Sequence, residues 1–353
     1  MGRDDPKRAR SRQSGLRPVL RWLHATLGLF AGLYLLMASA TGALLLFKHE
    51  LLGLAHPELG PVPADIVARA ERLAATLPEG SFSSIKFPDE ALPAFMLYRP
   101  GGGTALYDPA TLAPLDDRFG LNAAMDWLFD LHHYLLAGDT GKLVSGAFGL
   151  AIAGLILIGL FLWWPWRRGW RLSHARPKRA TRASRLAGHT TLAVLVAPVL
   201  FVSAVTGSAV VFHEPARALL VGLLGGKEPS IPVTTGAAPL PTLTRELFPH
   251  AAPRLFILPK EPGGTVTLRL RQPEEAHPNG RSTLTYDPAA GRVAAATSEP
   301  ASGAGSRAYN LLYPIHIGSI GGTPLRVFYL ASAILAFLAG FYALRSRLTR
   351  RRR

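Results

Sequence analysis

Four long apolar runs constrain this chain more than any other feature. They lie at Val19–Phe47, Leu143–Trp166, Leu186–Phe212 and Leu325–Leu344, each long enough to supply the roughly 20 helical residues that cross a hydrocarbon core of about 30 Å. A bilayer offers no water to unpaired backbone groups, so runs of this kind can only be helices. With 48% hydrophobic and 18% charged residues among 353, the chain does not read as a string of soluble domains. It has no cysteine, which excludes disulfides, iron–sulfur clusters, thiolate zinc sites and covalently attached c-type haem. Ala38-Ser39-Ala40 has the small-residue pattern of a signal-peptidase site, but the apolar run continues to Phe47 and reads as a retained anchor.

The net charge of +16 suggests nucleic acid until it is located. Three segments, the tail to Arg21, Arg167–Arg185 and Arg345–Arg353, hold 21 basic and 2 acidic side chains, and the rest of the chain holds 18 and 21. Basic residues collected beside spans mark the cytoplasmic side. Both termini and the arginine-rich loop are therefore expected in the cytoplasm, with some attraction to anionic lipid and no nucleic-acid partner. Trp163, Trp164 and Trp166 beside Arg167 and Arg168 read as an interfacial belt at that face.

The expected order is a basic cytoplasmic tail 1–18, a span 19–47, a periplasmic module 48–142, a span 143–166, a basic cytoplasmic loop 167–185, a span 186–212, a second periplasmic module 213–324, a span 325–344 and a basic tail 345–353. Both modules read as α+β. The first has helical spacing over Pro63–Thr76 and short strand patterns at Ser81–Phe87, Ala94–Tyr98 and Thr104–Tyr107. The second has a short helix near Leu243–Phe248 and strands near Arg254–Leu258, Thr265–Arg271 and Ser282–Tyr286, with a polar turn over Arg271–Arg281.

Self-comparison shows that the chain repeats itself. His24, Thr41-Gly42 and Phe47 in the first span have counterparts in His189, Thr206-Gly207 and Phe212 in the third. Histidine to threonine is 17 residues in both, and histidine to phenylalanine is 23. The modules share Tyr107-Asp108-Pro109 and Tyr286-Asp287-Pro288, and each half reaches its second span through a histidine, His132 or His316. The fold class expected is a membrane α-helical, four-helix transmembrane bundle from an internal duplication, with two periplasmic α+β modules. Halves that both start and end inside are parallel repeats, so matching residues lie at matching depth. Thr41-Gly42, Thr206-Gly207, Gly28 and Gly32 are small residues that allow close helix approach.

Seven of eleven histidines, His24, His49, His132, His133, His189, His213 and His316, lie in or beside the spans, where an ionisable side chain is a functional-site hypothesis. His24 and His189 could meet across the bundle axis. Two facing imidazoles could bind a transition metal ion, share a proton or supply both axial ligands of a haem. A bare metal usually recruits carboxylates or thiolates as well, and the inner half of these spans offers neither, whereas haem needs only two nitrogens and an apolar slot. Without Cys-x-x-Cys-His any haem is non-covalent and b-type. His132 and His316 form the second repeat-related pair; His49 and His213, each followed by a glutamate, are second choices for the same role.

The span motif from Leu23-His24 through Thr41-Gly42 to His49-Glu50, its copy from His189 to Glu214, the two Tyr-Asp-Pro strands and the histidines before the second and fourth spans resemble the PepSY-associated transmembrane family of bacterial inner-membrane proteins. That family includes iron-regulated ferric-siderophore reductases. The resemblance covers nearly the whole chain except its tails. It implies paired PepSY modules in the periplasm and, in reductase members, haem held by bundle histidines that pass electrons outward. On this reading His24 and His189 hold an inner haem b, and His132 and His316 an outer one.

The function expected is reduction of a periplasmic ferric-siderophore or other Fe(III) chelate with electrons from the cytoplasmic side. Hard oxygen donors hold Fe(III) far better than Fe(II), so reduction releases the iron. No catalytic side chain is assigned. The chain has no Gly-x-Gly-x-x-Gly opening a helix after a strand, so a quinol or a separate cytoplasmic flavoprotein has to supply electrons. Alternatives are a membrane-anchored module that binds a ligand or partner without catalysis, and a transporter of iron or chelate; the latter class more often shows broken helices and midplane charges. Gly-x-Ser-x-Gly and His-Glu-x-x-His are both absent, which sets a hydrolase last. Tyr107, Arg99, Arg269 and Arg271 are candidate contacts for an anionic chelate.

Overall fold

The computed structural model describes residues 6–348 apart from 228, 234, 235 and 262. The expected basic tails lie outside the described residues at 1–5 and 349–353. The chain divides into two compact units. One takes in the described residues up to Leu46, His132–Phe212 and His316 onward; the other is Phe47–Leu131 with His213–Ile315.

The first unit is a bundle of α1 (Pro6–Leu45), α5 (Gly138–Trp163), α6 (Arg182–Val211) and α10 (Gly322–Leu348). Stretches of these helices, Gly15–Leu45, Gly138–Gly169, Arg182–Val211 and Ser319–Leu348, are long and apolar enough to cross a membrane. Helix α1 packs on α5 and α10, and α6 packs on the same two. The helices therefore close a ring in which α1 and α6 stand diagonally. Their outward positions stay apolar and uncovered, with Phe30, Leu33, Leu157, Phe161, Val202, Phe328 and Ile334 all exposed. Water would penalise each of these side chains and lipid does not. Inside the ring Ala31, Ile152 and Leu155 are buried against Tyr34, Phe148 and Ala204.

The second unit contains α2 (Lys48–Ala55), α3 (Ile66–Thr76), most of α4 (Leu121–Tyr134), α7 (His213–Leu224), α8 (Leu240–Leu247), most of α9 (Ala304–His316) and seven strands. The strands are β1 (Ser84–Lys86), β2 (Phe95–Tyr98), β3 (Thr104–Tyr107), β4 (Ala252–Ile257), β5 (Val266–Arg271), β6 (Ser282–Asp287) and β7 (Arg292–Thr297). The two stretches expected as separate modules share one antiparallel sheet, ordered β3-β2-β1-β4-β5-β6-β7. The seam is β1 on β4, with Ile85 opposite Phe256. Pairing β1 with β4 lets both stretches fill one core.

Alternation sets the two faces. Ile85, Phe95, Leu97, Phe256, Leu268, Leu270 and Leu284 point to a core capped by Val67, Ala70 and Leu73 of α3 and by Leu240 and Leu243 of α8. The opposite face is apolar over β2 and β3, where Met96 and Leu106 pack with Leu52, Leu92 and Ala94. It turns cationic over β1, β4 and β5. Strands were legible from period-2 alternation, but β7 and helices α2, α4, α7 and α9 were not among the expected elements. In the polar turn, Gly280 has φ +63°, and a Cβ there would lie 2.0 Å from the Leu270 carbonyl oxygen. Only glycine fits so close a backbone approach.

Candidate functional site

The diagonal placement of α1 and α6 brings His24 and His189 to face each other, with ring centroids 6.5 Å apart and planes at 57°. His132 and His316 form a second pair, also 6.5 Å apart, at 46°. An imidazole nitrogen binds a transition metal at about 2 Å and lies about 1 Å from its ring centroid, so two rings sharing one ion have centroids about 6 Å apart. Both pairs have that spacing.

Hydrogen bonds engage Nδ1 in three of the four rings. Thr41 Oγ1 donates to the Met37 carbonyl at 2.9 Å and so accepts from His132 Nδ1 at 2.8 Å. His316 Nδ1 donates to the Ser203 carbonyl at 3.0 Å, and His189 Nδ1 to the Ala339 carbonyl at 3.0 Å. In these three residues Nδ1 donates, which in a neutral imidazole leaves the lone pair on Nε2, the arrangement that orients histidine ligands in metal sites. Among the described residues His24 Nδ1 is buried with no partner at full hydrogen-bond geometry.

Glycines make room for the rings. A Cβ on Gly42 would lie 3.1 Å from His132 Cε1, on Gly207 2.7 Å from His316 Cε1, and on Gly159 3.0 Å from His24 Cε1. Gly42 and Gly207, expected as helix-packing residues, thus clear space for imidazoles. Gly28 and Gly32 have nothing within 4 Å of such a Cβ and make no close helix approach. Gly159 was missed, because a lone glycine in an apolar helix gives no sign of what faces it.

His132 lies in the last turn of α4 and His316 ends α9, and the chain breaks sharply before the following spans. Leu135 and Leu136 take φ values of 50° and 57°, and Gly318 and Gly322 take 69° and 61°. Left-handed backbone costs leucine about 1–2 kcal/mol per residue, and here it turns the chain between His132 and α5. Along α1 the two sites are marked by His24 and by Thr41, 17 residues later, or about 25 Å at 1.5 Å per residue. Between them Tyr34 stacks on Phe148 with centroids 4.8 Å apart, and its hydroxyl meets Ser145 Oγ at 2.8 Å.

The second-choice histidines are placed differently. In the sheet unit His49 Nδ1 meets Asp89 Oδ2 at 2.5 Å and its Nε2 meets Lys86 Nζ at 3.2 Å, so both nitrogens are engaged. His213 is exposed at the start of α7. Tyr107 packs at the rim of the sheet core, edge-on to Phe82. Arg99 donates to the Thr104 carbonyl at 3.0 Å and borders a cleft with Asp116, Asp117 and Asp126, an acidic setting away from Arg269 and Arg271. Among the described residues no cluster of three or more His, Asp or Glu could hold a bare metal ion.

No curated protein matches the chain. The family model described as the PepSY-associated TM region matches residues 21–344, which takes in all four apolar helices, the sheet and both histidine pairs. The chain belongs to the PepSY-associated TM family.

Proposed function

We propose that the protein is an electron-transfer protein of the bacterial inner membrane that binds two b-type haems and reduces an Fe(III) chelate, such as a ferric siderophore, on the periplasmic side. What carries this reading is the two His–His couples, each with 6.5 Å between ring centroids. The residues fit the group: imidazoles in pairs, glycines beside three of the rings, an apolar bundle interior and, among the described residues, no cluster of three or more His, Asp or Glu to favour a bare ion. His24 with His189, and His132 with His316, would hold the two haems. When bound, haem supplies a one-electron carrier at each site.

The chain's own residues set the terms. Thr41, Ser203 and Ala339 hold Nδ1 protons so that Nε2 stays a neutral donor, and an acceptor at Nδ1 raises the basicity of the ligating nitrogen. The arginine-rich ends and loop place the His24 end on the cytoplasmic side, by the distribution of charge in the sequence. A quinol or cytoplasmic flavoprotein would supply the electron there. On the far side Fe(III) in the chelate gains it, and the oxygen donors hold the resulting Fe(II) more weakly.

The test is an absorption spectrum of the purified protein, oxidised and then dithionite-reduced, with a pyridine haemochrome count. Two haems per chain with sharp α and β bands on reduction are expected, and His24→Ala or His132→Ala should each remove about half the signal. A featureless spectrum after expression with ample haem overturns the reading and leaves a membrane-anchored ligand-binding module in its place.

A further inference from the structure

On the cationic face of the sheet, cross-strand register sets Lys86 opposite Leu255 and Leu255 opposite Arg269, so all three share a side. Arg271 lies two residues along the same strand on the same side. Arg254 falls where the β4–β5 register shifts between Pro253 and Leu255, and such an irregularity re-aims the side chain it carries. Arg281 just precedes β6 and donates to His277 Nε2 at 3.0 Å, while His277 stacks on Tyr313 of α9 with centroids 5.1 Å apart. By strand spacing, these cations cover roughly 10 Å of sheet.

Direct ion pairs are missing among the described residues. Among the described residues none of Arg254, Arg269, Arg271 and Arg281 has a carboxylate within 4.0 Å. Glu275, the acid inside the cluster, is spent on the backbone N–H groups of Gln272, Arg281 and Ser282 and on the Ser282 hydroxyl. Among the described residues the Nε atoms of Arg254, Arg269 and Arg281 are buried with no hydrogen-bond partner. Burial and the cations Arg281, Arg269, Arg271 and Lys86 push His277 down to about 3, so it stays neutral and adds no charge. Gathered, half-buried guanidinium groups without a direct ion-pair partner are costly, and a native fold that keeps them calls for an occupant.

We propose that this face binds a small dissolved polyanion, a molecule carrying two or more carboxylate or phosphate groups, with Arg254, Arg269, Arg281 and Lys86 as its donors. Planar guanidinium forks match such oxyanions bidentately, and Tyr313 stacked on His277 supplies an aromatic edge to the site. The further statement that the chelate reduced is anionic and carboxylate-rich rests on the haem reading; the anion site itself does not.

The experiment is calorimetric titration of the full-length protein in phosphatidylcholine nanodiscs, which offer no anionic headgroup. The probes are citrate, Ga(III)–citrate as a redox-inert stand-in for Fe(III), inorganic phosphate and a cationic Ga(III)–trihydroxamate complex. Citrate and Ga(III)–citrate should bind, phosphate more weakly, and the cationic complex not at all. Arg269→Gln and Arg281→Gln should each weaken citrate binding about tenfold or more, the scale of one charged hydrogen bond. Arg269→Lys should keep part of it, and Arg99→Gln all of it. Absence of citrate binding, or binding unchanged in both glutamine variants, overturns the proposal. So does loss of citrate binding when phosphatidylglycerol replaces phosphatidylcholine, which assigns the face to a lipid headgroup. Haem counted on the same sample separates the two readings: haem without anion binding sinks this inference alone, and anion binding without haem sinks only the electron-transfer reading.

Discussion

Gly207→Ala puts one methyl group where the structure leaves no room for it. The added Cβ would lie 2.7 Å from His316 Cε1, 3.1 Å from Nδ1 and 3.4 Å from Nε2, against about 3.5–4.0 Å for carbon atoms in ordinary contact. The ring has to retreat by about 1 Å, while metal–ligand distances tolerate only about 0.2 Å. The Nδ1 bond to Ser203 at 3.0 Å opposes that retreat. If His132 and His316 hold iron, Gly207→Ala therefore loses one of two sites, read as about half the haem in a pyridine haemochrome assay and half the reduced α band. Gly42→Ala, with Cβ 3.1 Å from His132 Cε1, needs a shift of a few tenths of an ångström and should keep both haems with an altered midpoint potential. Gly28→Ala meets nothing within 4 Å and should leave the spectrum intact while stabilising α1 by up to about 1 kcal/mol, the helix-propensity difference. A Gly207→Ala protein with two haems, an unchanged spectrum and unchanged midpoints would refute the reasoning.

Thr41→Val removes the acceptor of the His132 Nδ1 proton; it should cost about 1–3 kcal/mol and shift the midpoint of one haem only, checked by redox titration. His277 is held at about 3 against 6.5 for a free imidazole, so the unfolded chain binds the extra proton between those values. Stability of the sheet unit, followed by circular dichroism during urea unfolding, should fall as pH drops from about 6.5 towards 3, and His277→Gln should flatten that profile. Asp89, held at about 2 mainly by its bond to His49 against an opposing burial effect, adds a stabilisation present above about pH 4 and lost below it; Asp89→Asn should remove that lower limb. Gly280→Ala should destabilise the sheet unit by several kcal/mol, since φ +63° and a backbone oxygen 2.0 Å away both exclude a side chain; a thermal melt within 2 °C of wild type would contradict this.

The sequence by itself determined the four apolar helices, because hydrophobic runs and flanking arginines are local signals that no partner has to supply. It determined six of the seven strands through alternation, and it pointed to His24, His189, His132 and His316, which the structure brings together as two pairs. It did not determine that the two extramembrane stretches share a sheet, since the β1–β4 seam joins residues about 170 apart and no local pattern encodes a partner strand. Tertiary structure alone decided which small residues matter: Gly42, Gly159 and Gly207 abut imidazoles while Gly28 and Gly32 abut nothing, although all five read alike in an apolar helix. It also decided the fate of the arginines. Arg99 went to an acidic cleft, whereas Arg254, Arg269, Arg271 and Arg281 gathered at one sheet face with no carboxylate within 4.0 Å among the described residues. Charge is written in the sequence, but its balance is a property of neighbours, and neighbours exist only once the chain has folded.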